Sequence, residues 1–278
     1  MNEYKNSKFI LNNYLKDACE LPSYFNQNAI IIYEVVRLID KKILFLEDHI
    51  QRFFDSFKLL TMKPDITEKE ISDQLYMLIH SNKFTNANLK FQVQIDKQTF
   101  AQDFISFFIP HAYPTKNQYD NGVKVSMLKA SRTNPNAKVQ NVSLREMSDQ
   151  IIHNENVYEV ILINNDGFVT EGSRSNLFMI KNDEVKTSQL ADILPGITRK
   201  YIIQICRELK INCIESQISQ DEMLSMDAMF ITGTSPKVLP INSIYDNHFD
   251  VNNYYLRTIM KKFDERIHNF LQTQTILL

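Results

Sequence analysis

A glutamate at the end of a predicted strand is the first residue whose type and position suggest chemistry. The apolar run 160–163 is followed by the turn NNDG (164–167), and a second short strand ends at Glu171. Two strands joined by an Asn/Asp/Gly turn predict a β-hairpin. A carboxylate on a strand with this apolar pattern needs a partner, because an unpaired buried charge is costly. The alternative is a surface hairpin with Glu171 exposed.

Two glycine-containing turns have features of phosphate sites. The run GIT (196–198) begins a predicted helix, where free N–H groups and the helix dipole favour an anion. The run GTS (233–235) follows a predicted strand and offers a flexible backbone with two hydroxyls. On another predicted helix, His49 and Arg52 share one face. Each pattern alone is more typical of a helix cap or of a solvated surface.

A lysine completes a set that fits one cofactor. Lys138 lies in NPNAKVQN, between a predicted loop and a predicted helix, and by itself it predicts a surface charge. Pyridoxal 5'-phosphate needs an amine for a Schiff base, an acid that keeps its pyridine nitrogen protonated, and donors for its phosphate. Lys138, Glu171 and the two turns supply these groups, so the sequence predicts this cofactor.

Four segments carry a resemblance to a known family. FLEDHIQRF, VTEGSRSNLF, ILPGITRK and FITGTSPKVLPI, in their order and spacing, resemble the class IV (fold type IV) pyridoxal-phosphate aminotransferases. That family includes branched-chain and D-amino-acid aminotransferases and aminodeoxychorismate lyase. The resemblance covers about residues 30–60 and 120–245, and IYEVVRLI also resembles the strand near the substrate of the D-amino-acid enzyme.

The resemblance implies a role for each matching residue. Lys138 would be the Schiff-base lysine, and Glu171 would partner the pyridine nitrogen. Tyr33 would line the substrate pocket, and Ser235 would lie near the substrate carboxylate. The phosphate would be bound by four residues, the isoleucine acting through its backbone N–H: Arg52, Ile197, Thr198 and Thr234.

The resemblance also implies the reaction and the assembly. An amino group would move between an amino acid and a 2-oxo acid in a ping-pong transamination. The family fold has two domains with the cofactor between them, in a homodimer whose neighbouring subunit helps to close the pocket. We therefore expect small-molecule substrates and a homodimer.

Periodicity and turn signals predict an α/β (α+β) fold with two domains. The first, residues 1–112, is a smaller α+β domain, with strands at 8–17, 29–39, 88–96 and 103–110 and helices at 45–60 and 67–82. A polar, proline-containing segment marks a linker at 113–121. The second, 122–278, is the larger α/β domain that binds the cofactor. Its predicted strands are 122–129, the hairpin, 211–215 and 228–232, and its predicted helices are 139–154, 197–209, 219–225 and 251–271.

Composition excludes several classes of protein. Of 278 residues, 44% are hydrophobic and 23% are charged, which is typical of a soluble globular protein. A net charge of −2 does not favour nucleic acid or an anionic membrane as the main partner. The apolar runs are too short to span a bilayer, and no signal peptide is evident. All five glycines lie after residue 121, which indicates that the second half builds most of the ligand site.

The three cysteines, Cys19, Cys206 and Cys213, lack metal-ligand spacing. Their odd number and the absence of a secretory signal predict reduced thiols in a cytoplasmic protein. We expect no metal site.

The substrate-binding residues match the family less well than the cofactor-binding ones. SYFNQNAIIIYE lacks the family's glycine-rich stretch, and Ser143 stands where branched-chain enzymes have a tyrosine. Arg174 occupies a position that is small in D-amino-acid enzymes, and it either reaches a ligand or points outward. Strand 88–96 lacks the arginine that several members use to hold a substrate carboxylate. It offers other polar residues: Gln92, Gln94 and, just beyond it, Lys97.

Two further functions stay open beside transamination. One is β-elimination on the same fold, as in aminodeoxychorismate lyase. The other is a catalytically degenerate, cofactor-binding dimer, which the missing glycine-rich stretch and substrate arginine favour. The sequence does not decide the amino donor, the acceptor, or D- versus L-substrates.

Overall fold

The computed structural model describes residues 7–132 and 134–274, and these residues form two units. Unit 1 contains the described chain up to Ala112, the segment Ala137–Gln140 and the described residues from Asn269 onward. Unit 2 contains Tyr113–Asn136 and Asn141–His268. The predicted boundaries of the two domains and of the linker remain predictions.

Unit 1 is built on an antiparallel sheet of six strands in the order β2-β1-β6-β5-β3-β4. The strands are β1 (Lys8–Leu11), β2 (Tyr14–Asp17), β3 (Ala29–Ile39), β4 (Lys42–Ile43), β5 (Ala87–Asp96) and β6 (Gln102–Ile109). Its helices are α1 (Leu46–Leu59), α2 (Glu68–His80) and a 3₁₀ helix, Ala18–Tyr24.

The core of unit 1 lies between one face of this sheet and the helices α1 and α2. The rings of Phe53 on α1 and Phe91 on β5 have centroids 5.2 Å apart. Helix α2 begins with the predicted capping box, in which the Thr67 hydroxyl accepts from the N–H of Glu70 and the Glu70 carboxylate accepts from the N–H of Thr67. Burial of alternate residues along β3 follows the twofold period of a strand with one face on a core.

The prediction of one strand over 8–17 was wrong. The segment forms the two paired strands β1 and β2, which turn at Asn12 and Asn13. These residues have φ values of 46° and 72°. Asparagine tolerates this left-handed conformation, and two such residues in succession are typical of a tight hairpin turn.

Unit 2 contains a mixed sheet of nine strands in the order β12-β11-β10-β13-β14-β7-β8-β9, with β15 beside β14. The strands are β7 (Val123–Lys129), β8 (Glu159–Ile163), β9 (Val169–Gly172), β10 (Asn176–Lys181), β11 (Glu184–Ser188), β12 (Asn212–Ser216), β13 (Ala228–Gly233), β14 (Lys237–Ile244) and β15 (Asn247–His248). The helices are α3 (Lys116–Asn121), α4 (Val142–Asn154), the 3₁₀ helix Leu190–Asp192, α5 (Ile197–Glu208), α6 (Gln220–Leu224) and α7 (Tyr254–Thr273).

The pairings of β7 with β8, of β14 with β7 and of β11 with β12 are parallel, and the other pairings in unit 2 are antiparallel. Parallel strands need crossover connections, which explains why helices alternate with strands here. The apolar side chains of β8, β10, β13 and β14 form the centre of a buried cluster.

The structure differs from the sequence prediction at several places in unit 2. Helix α4 begins at Val142 rather than at 139, because Lys138 and Gln140 form backbone hydrogen bonds with β3. Strands β10, β11, β14 and β15 were not predicted. Strand β14 contains Pro240, and proline usually argues against a strand inside a sheet. The segment 113–121 contains the short helix α3.

Candidate functional site

The backbone around Lys138 is held by strand β3 and helix α1. The N–H of Tyr33 donates to the Lys138 carbonyl (3.1 Å), and the N–H of Gln140 donates to the carbonyl of Ile31 (3.0 Å). The N–H of Lys138 donates to Ser56 Oγ (3.0 Å). The backbone is thus hydrogen-bonded at Lys138 and at Gln140, which fixes the position of the Lys138 Cα.

The ring of Tyr33 lies beside two ammonium groups. Lys138 Nζ is 5.0 Å from the ring centroid and Lys90 Nζ is 4.7 Å from it. Lys90 Nζ also donates to Gln140 Oε1 (3.1 Å). Ammonium groups at these distances are attracted to the face of an aromatic ring. The structure therefore brings together two predicted site residues, Lys138 and Tyr33.

Arg52, predicted to bind phosphate, is bound in a buried ionic cluster in unit 1. Arg52 Nε and Nη2 donate to the two oxygens of Glu34, both at 2.7 Å. His49 Nδ1 lies 2.8 Å from Glu34 Oε2. Burial alone would raise the pKa of Glu34, but Arg52 and His49 outweigh burial and lower it to about 2. The Glu34 carboxylate therefore holds the Arg52 guanidinium in a fixed orientation.

The pKa of His49 is lowered, mainly by burial, to which the charges of Arg52 and Lys138 add. Its hydrogen bond to Glu34 opposes this shift.

The hairpin that carries Glu171 is confirmed. Strands β8 and β9 pair antiparallel, and Gly167 in the turn has a φ of 85°. Asn164 Oδ1 accepts from the N–H groups of Asp166 (3.1 Å) and Phe168 (2.9 Å), which closes the turn. Glu171 is only 3% exposed, so the alternative of a surface glutamate is wrong.

The buried carboxylate of Glu171 has partners on both oxygens. Oε2 accepts from the N–H of Leu194 (3.1 Å) and from Asn176 Nδ2 (3.3 Å), and Oε1 lies 2.7 Å from Arg132 Nε. Asn176 Nδ2 also donates to the Leu194 carbonyl (3.0 Å), which ties the two partners together. A cation and two N–H donors match what an ionised carboxylate accepts.

A second buried carboxylate, Glu159, organises the turn that follows Glu171. Its Oε1 accepts from Ser173 Oγ (2.6 Å) and from the N–H of Val160 (2.8 Å). Its Oε2 accepts from Ser175 Oγ (3.1 Å) and from the N–H of Arg174 (3.2 Å). Burial raises the pKa of Glu159, and these four hydrogen bonds only partly oppose the shift.

The start of helix α5 contains two predicted phosphate-binding residues, Ile197 and Thr198, both buried. Gly196 is its N-cap residue, and within the described chain no side chain caps this helix. The first N–H groups of a helix have no intrahelical partner, so they can bind an anion. A Cβ on residue 196 would overlap Asn176 Oδ1, which explains the glycine.

Thr234 and Ser235 lie half-buried in the turn between β13 and β14. Thr232, two residues earlier, is fully buried, and its Oγ1 has no hydrogen-bond partner among residues 7–132 and 134–274. Thr232 stands directly opposite Asn176 in the pairing of β13 with β10. A buried hydroxyl of this kind, close to Asn176, is suited to a bound ligand.

Sequence reasoning missed four polar residues of this site: Arg132, Glu159, Asn176 and Thr232. Asn176 could have been found from the sequence, because it ends the run EGSRSN, which begins at Glu171 and belongs to a segment that resembles the family. Arg174, whose role the sequence left open, is exposed and forms an ion pair with Asp149 of α4. Lys138, Tyr33 and Arg52 belong to unit 1. The other predicted site residues belong to unit 2: Glu171, Ile197, Thr198, Thr234 and Ser235.

Comparison with known proteins decides the family. The model of the family described as amino-transferase class IV matches residues 31–244. The chain belongs to the class IV aminotransferase family. It is 30% identical over 223 residues to a D-alanine aminotransferase of Bacillus licheniformis, an alignment that covers 77% of this chain and 78% of that one. It is 28% identical over 281 residues to a putative branched-chain-amino-acid aminotransferase of Methanocaldococcus jannaschii, covering 96% and 95% of the two chains.

The fold is that of a solved member. The branched-chain amino acid aminotransferase from Thermobaculum terrenum, in its PLP form, superposes with a TM-score of 0.81 at 18% identity, covering 96% of this chain and 95% of that one. The expected fold type IV architecture, the enzyme class and the family are therefore confirmed. Class IV aminotransferases act on amino acids and bind pyridoxal phosphate, which confirms the cofactor expected for this aminotransferase.

The residues present fit the cofactor. The buried Thr232 hydroxyl, the uncapped start of α5 and the bound carboxylate of Glu171 are donors and an acceptor of the kinds that a phosphorylated pyridine requires. Within the described residues, no helix is long and apolar enough to cross a membrane. No group of three potential metal ligands comes together in that part of the chain either.

Proposed function

We propose that Lys138 is the catalytic lysine of this aminotransferase and that Glu171 partners the pyridine nitrogen of its cofactor. When bound, pyridoxal phosphate supplies an aldehyde that bonds to an amine and a ring that accepts electrons from the substrate. The free Lys138 amine would be the base that takes the proton from the substrate Cα. The carboxylate of Glu171 keeps a proton on the ring nitrogen.

The observation that carries this proposal is the position of Lys138. Its backbone is fixed by Tyr33 and Ser56, and its amine lies at the face of the Tyr33 ring. A lysine on an ordinary surface loop has no such restraints. Tyr33 lines the substrate pocket in this proposal, and Ser235 lies near the substrate carboxylate.

In this proposal four residues bind the phosphate. Arg52 contributes its guanidinium, Ile197 and Thr198 act at the start of α5, and Thr234 acts from the turn after β13. The two hydrogen bonds from Arg52 to Glu34 support phosphate binding by Arg52, because a preorganised guanidinium loses less conformational freedom on binding an anion. The uncapped start of α5 supports the roles of Ile197 and Thr198.

The proposed reaction moves an amino group between an amino acid and a 2-oxo acid. We also propose a cytoplasmic homodimer. Support for the location is that Cys19, Cys206 and Cys213 are all free thiols. Support for the dimer is the family membership together with exposed aromatic side chains on unit 1, among them Tyr14, Phe25 and Phe100. Sedimentation equilibrium of the full chain tests the assembly, and a monomer at micromolar concentration contradicts it.

Lys90 provides a matched control for the central assignment, because its amine lies at a similar distance from the same ring. The protein loaded with pyridoxal phosphate is reduced with borohydride, digested and mapped by mass spectrometry. We expect the pyridoxyl group on Lys138 in wild type and in Lys90→Ala, and no labelled lysine in Lys138→Ala. Labelling of any other lysine in wild type contradicts the assignment.

The reaction type is tested with the same loaded protein. Single amino acids are added, and the visible absorption band of the cofactor is followed. A band that shifts with an amino donor, and returns when a 2-oxo acid is added, supports transamination. Pyruvate released from aminodeoxychorismate without an acceptor indicates β-elimination instead, and binding of cofactor without any half-reaction indicates a degenerate scaffold.

A further inference from the structure

The side chain of Gln92 is buried without hydrogen-bond partners. It is 1% exposed, and neither Nε2 nor Oε1 has a partner among residues 7–132 and 134–274. A buried amide without partners costs folding free energy, so its presence in a native structure requires an explanation. A ligand group that pairs with the amide supplies one.

The neighbours of Gln92 are residues of the proposed active site. In the pairing of β5 with β3, Gln92 stands directly opposite Tyr33, whose ring contacts Lys138. Directly opposite residues point to the same face of a sheet, with Cβ atoms about 5 Å apart. On its other side Gln92 faces Ile105 of β6, which belongs to a small apolar cluster with Phe107.

The two polar residues next to Gln92 on the same face of β5 do have partners. Lys90 Nζ donates to Gln140 Oε1. Gln94 Nε2 donates to the carbonyl of Tyr24 (2.8 Å), and Gln94 Oε1 accepts from the N–H of Asn26 (3.1 Å). Of two buried glutamines on one strand face, the protein satisfies Gln94 and leaves Gln92 unsatisfied. Gln94 is therefore a built-in control for Gln92.

We infer that Gln92 determines substrate specificity by pairing with an uncharged substrate side chain that both donates and accepts a hydrogen bond. This inference rests on the proposed function, since it places the substrate beside Tyr33 and Lys138. A carboxamide or a hydroxyl is the ligand chemistry that satisfies both ends of the Gln92 amide. A carboxylate leaves Oε1 unpaired, an ammonium leaves Nε2 unpaired, and an apolar side chain leaves both unpaired.

Pairs of substrates with nearly equal shape test this inference. Asparagine is compared with leucine, and threonine with valine, in both D- and L-forms, by measuring kcat/KM. We expect the wild type to favour the polar member of at least one pair about tenfold to a hundredfold, because an apolar substrate leaves a buried amide unpaired. The asparagine and threonine arms separate carboxamide from hydroxyl recognition.

Gln92→Leu and Gln94→Leu are expected to act in opposite directions. Gln92→Leu removes an unpaired amide, so we expect the midpoint of thermal unfolding to rise by about 2 to 4 °C and the substrate preference to move to the apolar member. Gln94→Leu breaks two hydrogen bonds, so we expect a lower midpoint and an unchanged preference. A purely structural glutamine at position 92 predicts a lower midpoint as well.

Three results overturn the inference: a wild-type preference for the apolar member of both pairs, a Gln92→Leu preference within twofold of wild type, or a Gln92→Leu protein that is less stable than wild type. A less stable Gln92→Leu protein indicates that an ordered water satisfies the amide. Failure of the proposed function gives a different result, namely no half-reaction with any amino acid or a label on another lysine.

Discussion

Glu34 in unit 1 and Glu159 in unit 2 are two buried carboxylates with opposite surroundings. Glu34 is fully buried against a guanidinium and an imidazole, from Arg52 and His49. Glu159 is 3% exposed, and its four hydrogen bonds come only from hydroxyls and backbone N–H groups. The pKa of Glu34 is lowered to about 2, whereas the pKa of Glu159 is raised.

The difference shows that a facing cation, rather than burial, decides the ionisation of a carboxylate in this protein. Burial penalises the charged form of both residues. In Glu34 the charges and hydrogen bonds of Arg52 and His49 together exceed that penalty, and in Glu159 four neutral donors do not. The two carboxylates also orient different groups. Glu34 orients the side chain of Arg52, and Glu159 orients the turn that follows Glu171.

The largest expected effect is that of removing the carboxylate of Glu34. In Glu34→Ala, the buried Arg52 guanidinium loses the Glu34 carboxylate, so we expect a loss of about 3–5 kcal/mol in the free energy of unfolding. Urea denaturation measures it. The isosteric Glu34→Gln separates loss of charge from loss of volume. A loss below about 1 kcal/mol in Glu34→Ala contradicts the view that the cluster needs its anion.

The stability conferred by Glu34 should depend on pH. Because its folded pKa is about 2, below its usual 4.5, the contribution is complete above about pH 4.5 and is lost as the pH falls toward 2. We expect this loss to be on the order of 3 kcal/mol. Unfolding free energies of wild type and Glu34→Gln, measured across this range, should converge at low pH. Parallel curves contradict the assignment.

Glu159→Gln should show a smaller effect of opposite sign with pH. Its amide NH₂ faces a donor, so we expect a loss of about 1–2 kcal/mol at about pH 4. The raised pKa means that ionising Glu159 costs stability as the pH rises from its usual value toward its folded one. The deficit of the variant should therefore shrink at higher pH. A deficit that grows with pH shows that a cation stabilises Glu159.

The smallest effect on stability is expected for an exposed carboxylate, which serves as a reference for the effects at Glu34 and Glu159. Asp55 pairs with Lys58 on the surface of α1 at 2.8 Å. Asp55→Asn should change the free energy of unfolding by less than about 0.5 kcal/mol, because solvent and salt screen such a pair. Raising the salt concentration should remove most of this difference and leave the effect of Glu34→Ala nearly intact. A large change for Asp55→Asn shows that exposure is a poor guide to these energies.

Local signals predicted the parts of the fold that depend on neighbours in sequence. The NNDG turn and the Thr67 capping box appear where expected, because their hydrogen bonds link residues a few positions apart. Strand β14 was missed because it contains Pro240, which stands opposite Phe230 of β13 and just before the residues that pair with β7. The start of α4 was misplaced for a similar reason: the segment that precedes it bonds to the distant strand β3.

Residue types in a fixed order were enough to predict the family, the cofactor and the hairpin that carries Glu171. The burial of Glu171, and which polar groups have partners, could be learned only from the folded structure. It showed that Gln94 is satisfied and Gln92 is not, although both stand on the same strand face with the same amide. It also showed that Glu34 meets a cation whereas Glu159 meets neutral donors. Hydrogen bonding and ionisation depend on atoms a few ångströms apart, and those atoms come from residues far apart in the chain.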